Sequence, residues 1–161
     1  MYTEKKDFRV ITLDKDIILA GKNLQSSGLP ITFDSLGIMW ERYSTEDINN
    51  TPCCVNKDIS YGVCENKIPD YVVCVEVSEN KENREGFKCI TIPAGQYVKV
   101  EFNGENHDDL VCNKLMTRQT EAKKWAKEKK IKLNGKFTVE VYPKDTVEQE
   151  YPEMYCLFPI L

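Results

Sequence analysis

The sequence is poor in the residues and spacings from which metal and cofactor sites are built. His107 is the single histidine among 161 residues, and the seven cysteines form no CxxC pair, although zinc sites favour cysteines two to four residues apart. The motifs GxxxxGK[ST], GxGxxG, HExxH and GxSxG do not occur, so the usual signs of phosphate loops, dinucleotide binding and hydrolase centres are missing. His107 precedes two aspartates at a predicted helix start, where capping or exposure explains it better than catalysis. We therefore expect no metal and no cofactor.

Long apolar stretches are missing too. No uncharged apolar run approaches the roughly 18 residues of a membrane-spanning helix, and no apolar segment follows the N-terminal lysines as it would in a signal peptide. Lysine and arginine total 22 against 26 aspartates and glutamates, a net charge of -4. This balance disfavours direct DNA binding, which needs a basic surface. The odd number of cysteines favours a reducing compartment, so we expect a cytoplasmic protein without membrane contact.

Hydrophobic periodicity predicts short strands and two helices. One long or broken strand covers residues 8–21, with a bulge or bend at Asp14 and Lys15. A helix runs from Phe33 to Ser44, where apolar residues recur at helical spacing. A second helix begins at Asn106 and ends in a run of lysines, as the helix dipole favours. Further strands are predicted over residues 59–64, 71–77, 89–92, 97–102, 137–142 and 151–158.

This order is a β-α-β-β unit written twice. Two short helices need a sheet to cover, so the sequence predicts an α+β fold with an antiparallel sheet and both helices on one face. The two helices are then expected to leave a ligand groove between them.

Strand alternation draws attention to one glutamate. Thr138, Glu140 and Tyr142 share one face of their predicted strand. If that face meets solvent, Glu140 has no special role. If it meets the groove, the carboxylate either attracts a lipophilic cation or acts as a general base with a raised pKa. The pattern alone does not choose the face, because Glu76 and Glu101 alternate in the same way.

Several segments resemble, in order, the GyrI-like small-molecule-binding domain, the effector-binding half of bacterial AraC-type and MerR-type multidrug regulators. The segments are Trp40-Glu41-Arg42-Tyr43, Tyr61-Gly62-Val63-Cys64, the strand from Tyr71 to Val77, Ile92-Pro93-Ala94-Gly95-Gln96-Tyr97, Val139-Glu140-Val141-Tyr142 and Glu153-Met154-Tyr155. The resemblance implies a single domain over residues 1–161, built from two repeat halves at about 7–80 and 87–161. It also implies a pocket for hydrophobic, often cationic, compounds with Glu140 as the counter-charge.

The site residues expected from these arguments are mostly aromatic. The expected ligand-binding residues are Glu140, Trp40, Tyr61, Tyr97, Tyr142 and Tyr155. Some members of the resembled family hydrolyse cyclic imides, and the positions that resemble their catalytic residues are Glu140, Tyr97 and Trp40.

Three functions follow as hypotheses. The leading one is a stand-alone protein that senses or sequesters a hydrophobic, cationic or aromatic compound, since no helix-turn-helix segment flanks the predicted domain. The second is a hydrolase of cyclic imides that uses the same glutamate. The third is an inhibitor that binds another protein, such as a modulator of DNA gyrase.

Overall fold

A computed structural model describes residues 1–24, 28–30, 33–43, 51, 53–65, 70–78, 87–143 and 146–161. The fold of these residues is α+β, as predicted, and they form two α-helices and an eight-stranded antiparallel sheet. The strands are β1 (Lys6–Leu13), β2 (Ile17–Lys22), β3 (Ser60–Glu65), β4 (Asp70–Glu76), β5 (Lys88–Ile92), β6 (Gly95–Asn103), β7 (Phe137–Tyr142) and β8 (Glu153–Pro159). The helices are α1 (Phe33–Arg42) and α2 (Leu115–Glu128), and a π-helical segment (Asp109–Lys114) leads into α2.

The second helical region begins as its sequence indicates but with an unexpected geometry. The Asn106 side chain accepts a hydrogen bond from the Asp109 N–H at 2.8 Å, which satisfies one of the free donors of a helix start. The Leu115 N–H then bonds to the Leu110 carbonyl, five residues back. This wide π-turn is rare and often occurs at functional sites. Periodicity predicted one continuous helix here, because a π-turn leaves no pattern in the apolar spacing.

The strand order is symmetric about its centre. It reads β1-β6-β8-β7-β3-β4-β2-β5. Each half combines a strand–helix–strand–strand unit with one additional outer strand, β1 or β5. In one half the chain runs β2, α1, β3, β4, and in the other it runs β6, α2, β7, β8. The strands that directly follow the two helices, β3 and β7, pair at the middle of the sheet.

The first two strands lie far apart in the sheet. The prediction of one broken strand over residues 8–21 is wrong, because β1 pairs with β6 at one end of the order and β2 pairs with β4 and β5 at the other. In a flat sheet, six spacings of about 4.8 Å would separate β1 from β2 by about 29 Å. The three-residue link between them spans about 15 Å at most. The sheet must therefore curl until its two ends approach each other.

A hydrogen bond joins the β1–β2 connection to the β5–β6 connection, where the two ends of the curled sheet approach each other. The Asp16 carboxylate, between β1 and β2, accepts the Ala94 N–H, between β5 and β6, at 2.7 Å. We expect Asp16→Ala to lower the free energy of unfolding by about 1 kcal/mol, since the Ala94 donor loses its partner. Urea denaturation measures this change. The neighbouring Asp14→Ala is the control, and an equal loss in both variants would contradict the role of this bond.

The curl creates two different faces. The face away from the helices closes on a core that includes Leu19, Val63, Val139 and Leu157, all at most 2% exposed. The other face carries two separate apolar clusters, one under α1 and one under α2. Trp40 packs against both clusters, so it marks the place where the helices part.

Candidate functional site

A cavity lies between the two helices, over the central strands of the sheet. Its volume is about 1440 Å³, larger than the usual range for sites of drug-sized ligands. Leu36 and Trp40 of α1 line one side, and Val111, Leu115 and Gln119 line the other. On the sheet side, the lining residues include Cys64, Tyr71, Glu140 and Tyr142. The cavity is thus mostly apolar, and its polar residues come from the sheet, the helices and the loops around them, with Lys57 and Lys123 among them.

Glu140 is a buried charged residue on the sheet side of the cavity. Only 7% of its surface is exposed, and its Oε1 accepts hydrogen bonds from the Tyr71 hydroxyl at 2.7 Å and the Tyr142 hydroxyl at 2.8 Å. In the described part of the chain, no lysine, arginine or histidine pairs with this carboxylate. A buried carboxylate without a cation is costly unless something compensates it.

A glycine allows Tyr71 to reach Glu140. Tyr71 lies on β4 and Glu140 on β7, with β3 between them, and Gly62 of β3 is the cross-strand partner of Glu140. A Cβ atom at Gly62 would stand 1.9 Å from the Tyr71 hydroxyl oxygen. The missing side chain therefore provides the space in which the Tyr71 hydroxyl crosses β3, a use of glycine in strands that allows close approach.

Aromatic rings surround the carboxylate. The Trp40 ring centroid lies 5.1 Å from that of Tyr142, 6.3 Å from that of Tyr71 and 5.9 Å from that of Tyr43. The first and third of these contacts are edge-to-face, a favourable arrangement for aromatic pairs. Trp40, Tyr71 and Tyr142 also line the cavity, and we call these three residues with Glu140 the aromatic floor.

Burial dominates the ionisation of the aromatic floor. It raises the pKa of Glu140 above its ordinary value of 4.5, while the hydrogen bonds from Tyr71 and Tyr142 oppose the rise. Burial and the nearby carboxylate raise the pKa of both tyrosines far above their usual range. The tyrosines therefore remain protonated donors while Glu140 titrates.

The raised pKa of Glu140 predicts that Glu140→Gln becomes the more stable form as pH rises. Above pH 4.5 an unfolded chain has lost this proton, whereas the folded protein keeps it up to a higher pH. Unfolding then releases a proton, so the wild type loses stability through this window and the variant does not. Urea denaturation from about pH 5 to 8 measures the difference in unfolding free energy. A difference that stays constant with pH would show that Glu140 has an ordinary pKa.

The structure brings together half of the ligand-binding residues expected from sequence. Glu140, Trp40 and Tyr142 line the cavity, whereas Tyr61, Tyr97 and Tyr155 do not. Those three tyrosines belong to, or pack against, the core on the opposite face of the sheet. The reason is strand alternation. The three tyrosines have odd numbers, and in their strands the odd-numbered side chains point to the core face while the even-numbered ones point to the helices.

Each of these three tyrosines has a structural role on that face. The Tyr97 hydroxyl donates to the Pro93 carbonyl at 2.6 Å, Tyr61 is 5% exposed, and the Lys99 ammonium lies 4.2 Å from the Tyr155 ring centroid. The catalytic set of Glu140, Tyr97 and Trp40 is therefore not assembled, since the sheet separates Tyr97 from the other two.

Two residues that shape the site, Tyr71 and Gly62, were not among the ligand-binding residues expected from sequence. In the sequence, Tyr71 does not differ from the other aromatic residues of the predicted strands. It reaches Glu140 only because β3 pairs with β4 on one side and with β7 on the other. Gly62 carried a usable signal, since glycine inside a strand often marks a close approach. The rival Glu101 is partly buried and lies among Lys5, Arg9 and Lys99, outside the lining of the cavity.

His107 and the cysteines take no part in the aromatic floor. The His107 ring nitrogen Nδ1 lies 2.7 Å from the Thr146 hydroxyl, at one end of the cavity wall. None of the seven cysteines, all of which lie in the described residues, forms a disulfide bond. Within the described ranges, no three histidine, cysteine or acidic side chains come together as a possible metal site. Neither helix described here has the length and apolar character that a membrane crossing requires.

Comparisons with known proteins agree with this architecture. Residues 3–159 match the Cass2 family, described as integron-associated effector binding proteins. An integron cassette protein of Vibrio cholerae has a similar structure, with a TM-score of 0.61 and 13% identity over 99% of this chain and 100% of that one. No curated protein gives a significant match.

Two further solved structures share the fold. The C-terminal domain of EcmrR gives a TM-score of 0.68 at 16% identity, covering 99% of both chains. In a complex of EcmrR with DNA, the chain spans 57% of the matched EcmrR chain. SAV2435, solved with bound tetraphenylphosphonium, gives a TM-score of 0.66 at 14% identity over 96% of this chain and 94% of that one.

Proposed function

The chain belongs to the Cass2 family of integron-associated effector binding proteins, and on that premise we propose that its effector is a hydrophobic, cationic compound with aromatic groups. The compound binds in the cavity between α1 and α2. The observation that carries this proposal is Glu140, a buried carboxylate that has aromatic rings around it and no cation beside it in the described part of the chain.

The chemistry of the aromatic floor suits such a cation. A buried carboxylate attracts positive charge strongly, because water screens it little. The faces of tryptophan and tyrosine rings add cation–π attraction, and the apolar helix residues Leu36, Val111 and Leu115 accommodate hydrophobic substituents. Tetraphenylphosphonium, the compound in the SAV2435 structure, has this combination of charge and rings, which supports the proposal.

Binding is the better-supported activity. Hydrolysis of a cyclic imide by Glu140, Tyr97 and Trp40 would need the three side chains to meet one substrate, and Tyr97 bonds to Pro93 on the opposite face of the sheet. Glu140 and Trp40 both line the cavity. There Glu140 supplies the counter-charge for the bound cation, and Trp40 supplies an aromatic ring that packs against it.

Two ions of equal shape and opposite charge test the proposal. Tetraphenylphosphonium and tetraphenylborate both carry four phenyl rings, so a site that selects only for size and rings binds them alike. We expect isothermal titration calorimetry to detect tetraphenylphosphonium binding and no tetraphenylborate binding. Equal affinity for the two ions, or tighter binding of the borate, would refute the role of Glu140 as counter-charge.

We also propose that residues 1–161 form one effector-binding domain made of two related halves, at about 7–80 and 87–161. The symmetric strand order about β7 and β3 supports this division. We further propose a cytoplasmic location, which the odd number of cysteines favours.

A further inference from the structure

We propose that the preferred cation carries at least one N–H group, which donates a hydrogen bond to Oε2 of Glu140. This inference rests on the proposed function and narrows it from cations in general to protonated amines and related N–H cations. It follows from counting the donors and acceptors of the aromatic floor.

The floor has already used its hydroxyl protons. A tyrosine hydroxyl has one hydrogen to donate, and the hydroxyls of Tyr71 and Tyr142 both donate to Oε1 of Glu140. What these two residues still offer a ligand is the lone pairs of their oxygens. At the ionised Glu140, the tyrosines therefore act as further acceptors toward anything that enters the cavity.

Oε2 of Glu140 is the acceptor that remains open. It accepts no hydrogen bond from the part of the chain that is described, because both bonds to this carboxylate end on Oε1. It is also absent from the buried polar atoms that lack a partner, and Glu140 lines the cavity. When Glu140 is ionised, as it is beside a bound cation, this oxygen is thus reachable from the cavity and retains its full capacity to accept.

A floor of acceptors distinguishes two kinds of cation. A quaternary ammonium or a phosphonium ion brings charge but no donor, so it covers Oε2 and removes its water without replacing the hydrogen bond. Leaving a desolvated acceptor unpaired is costly, and hydrogen bonds to charged groups are stronger than neutral ones. A protonated tertiary amine of the same shape brings the charge and supplies the missing donor.

The test compares a diphenylalkyl dimethylammonium ion with its trimethylammonium analogue. Both are cations at neutral pH and differ by one methyl group in place of the N–H. We expect calorimetry to show that the N–H cation binds about 10- to 100-fold more tightly, the usual effect of one hydrogen bond to a charged group. Equal affinities, or tighter binding of the trimethylammonium ion, would overturn the inference.

Variants separate this inference from the function on which it rests. In Glu140→Gln the preference for the N–H cation should fall to within about twofold. In Glu101→Gln, which changes a carboxylate outside the cavity lining, the preference should persist unchanged. A preference that survives in Glu140→Gln would place the N–H bond elsewhere and overturn the inference. If both cations bind equally and both weaken in Glu140→Gln, the N–H inference fails while the counter-charge function stands. If neither cation binds better than tetraphenylborate, both fail.

Discussion

Replacing Glu140 by glutamine is expected to lower the affinity for tetraphenylphosphonium by about 100-fold. Removing one member of a buried charge pair at an interface commonly costs 2–5 kcal/mol, and each 1.4 kcal/mol corresponds to about tenfold in affinity. Glutamine keeps the shape of the side chain and can still accept from the tyrosines. The substitution thus isolates charge from packing, and calorimetry on both proteins measures its effect.

A neutral ligand and a second carboxylate complete that experiment. Triphenylphosphine oxide has similar rings without net charge, so its affinity should change by less than about threefold in Glu140→Gln. Glu101 is partly buried among cationic side chains and does not line the cavity, so Glu101→Gln should leave the affinity for tetraphenylphosphonium unchanged. An equal loss for charged and neutral ligands would show that Glu140 acts through packing alone.

Gly62→Ala is expected to disrupt the site without removing any polar group. The new methyl group would occupy the position 1.9 Å from the Tyr71 hydroxyl oxygen, so Tyr71 must leave Oε1 of Glu140. Overpacking in a tight site typically costs 1–3 kcal/mol of stability, and Glu140 also loses one of its two hydrogen bonds. We therefore expect a loss of about 2 kcal/mol in urea denaturation and at least tenfold weaker cation binding.

Gly37→Ala provides the matched control for stability. Gly37 is exposed on α1, and a Cβ atom there meets nothing within 4 Å. Alanine favours a helix over glycine by about 0.5–1 kcal/mol, so this variant should gain stability. If Gly62→Ala were as stable as the wild type and still bound the cation, Tyr71 would have an alternative path to Glu140.

Local pattern predicted the elements that form the site. The alternation in Phe137–Tyr142 placed Glu140 and Tyr142 on one face, and β7 has these same bounds. The spacing of apolar residues likewise located α1 and placed Trp40 on it. These features depend on neighbours a few residues apart, which the sequence displays directly.

The remaining features depend on pairing between distant strands. The pattern around Asp14 predicted a bend, but only the partners of β1 and β2 reveal that the chain crosses the opening of a curled sheet there. Alternation gave Tyr61, Tyr97 and Tyr155 a face but did not state which face carries the helices. The bond between Tyr71 and Glu140 spans three strands, so no local signal predicted it.

The two tryptophans give the protein a built-in optical reporter. Trp40 contacts Tyr71 and Tyr142 in the cavity wall, so a bound cation changes the polarity and quenching that its indole experiences. Trp125 instead stacks on Phe8 at a centroid distance of 6.1 Å, within the cluster under α2. Its emission provides a constant reference in the same molecule, and Trp125→Phe isolates the responsive signal. Effector binding can thus be followed by intrinsic fluorescence, without labelling either the protein or the compound.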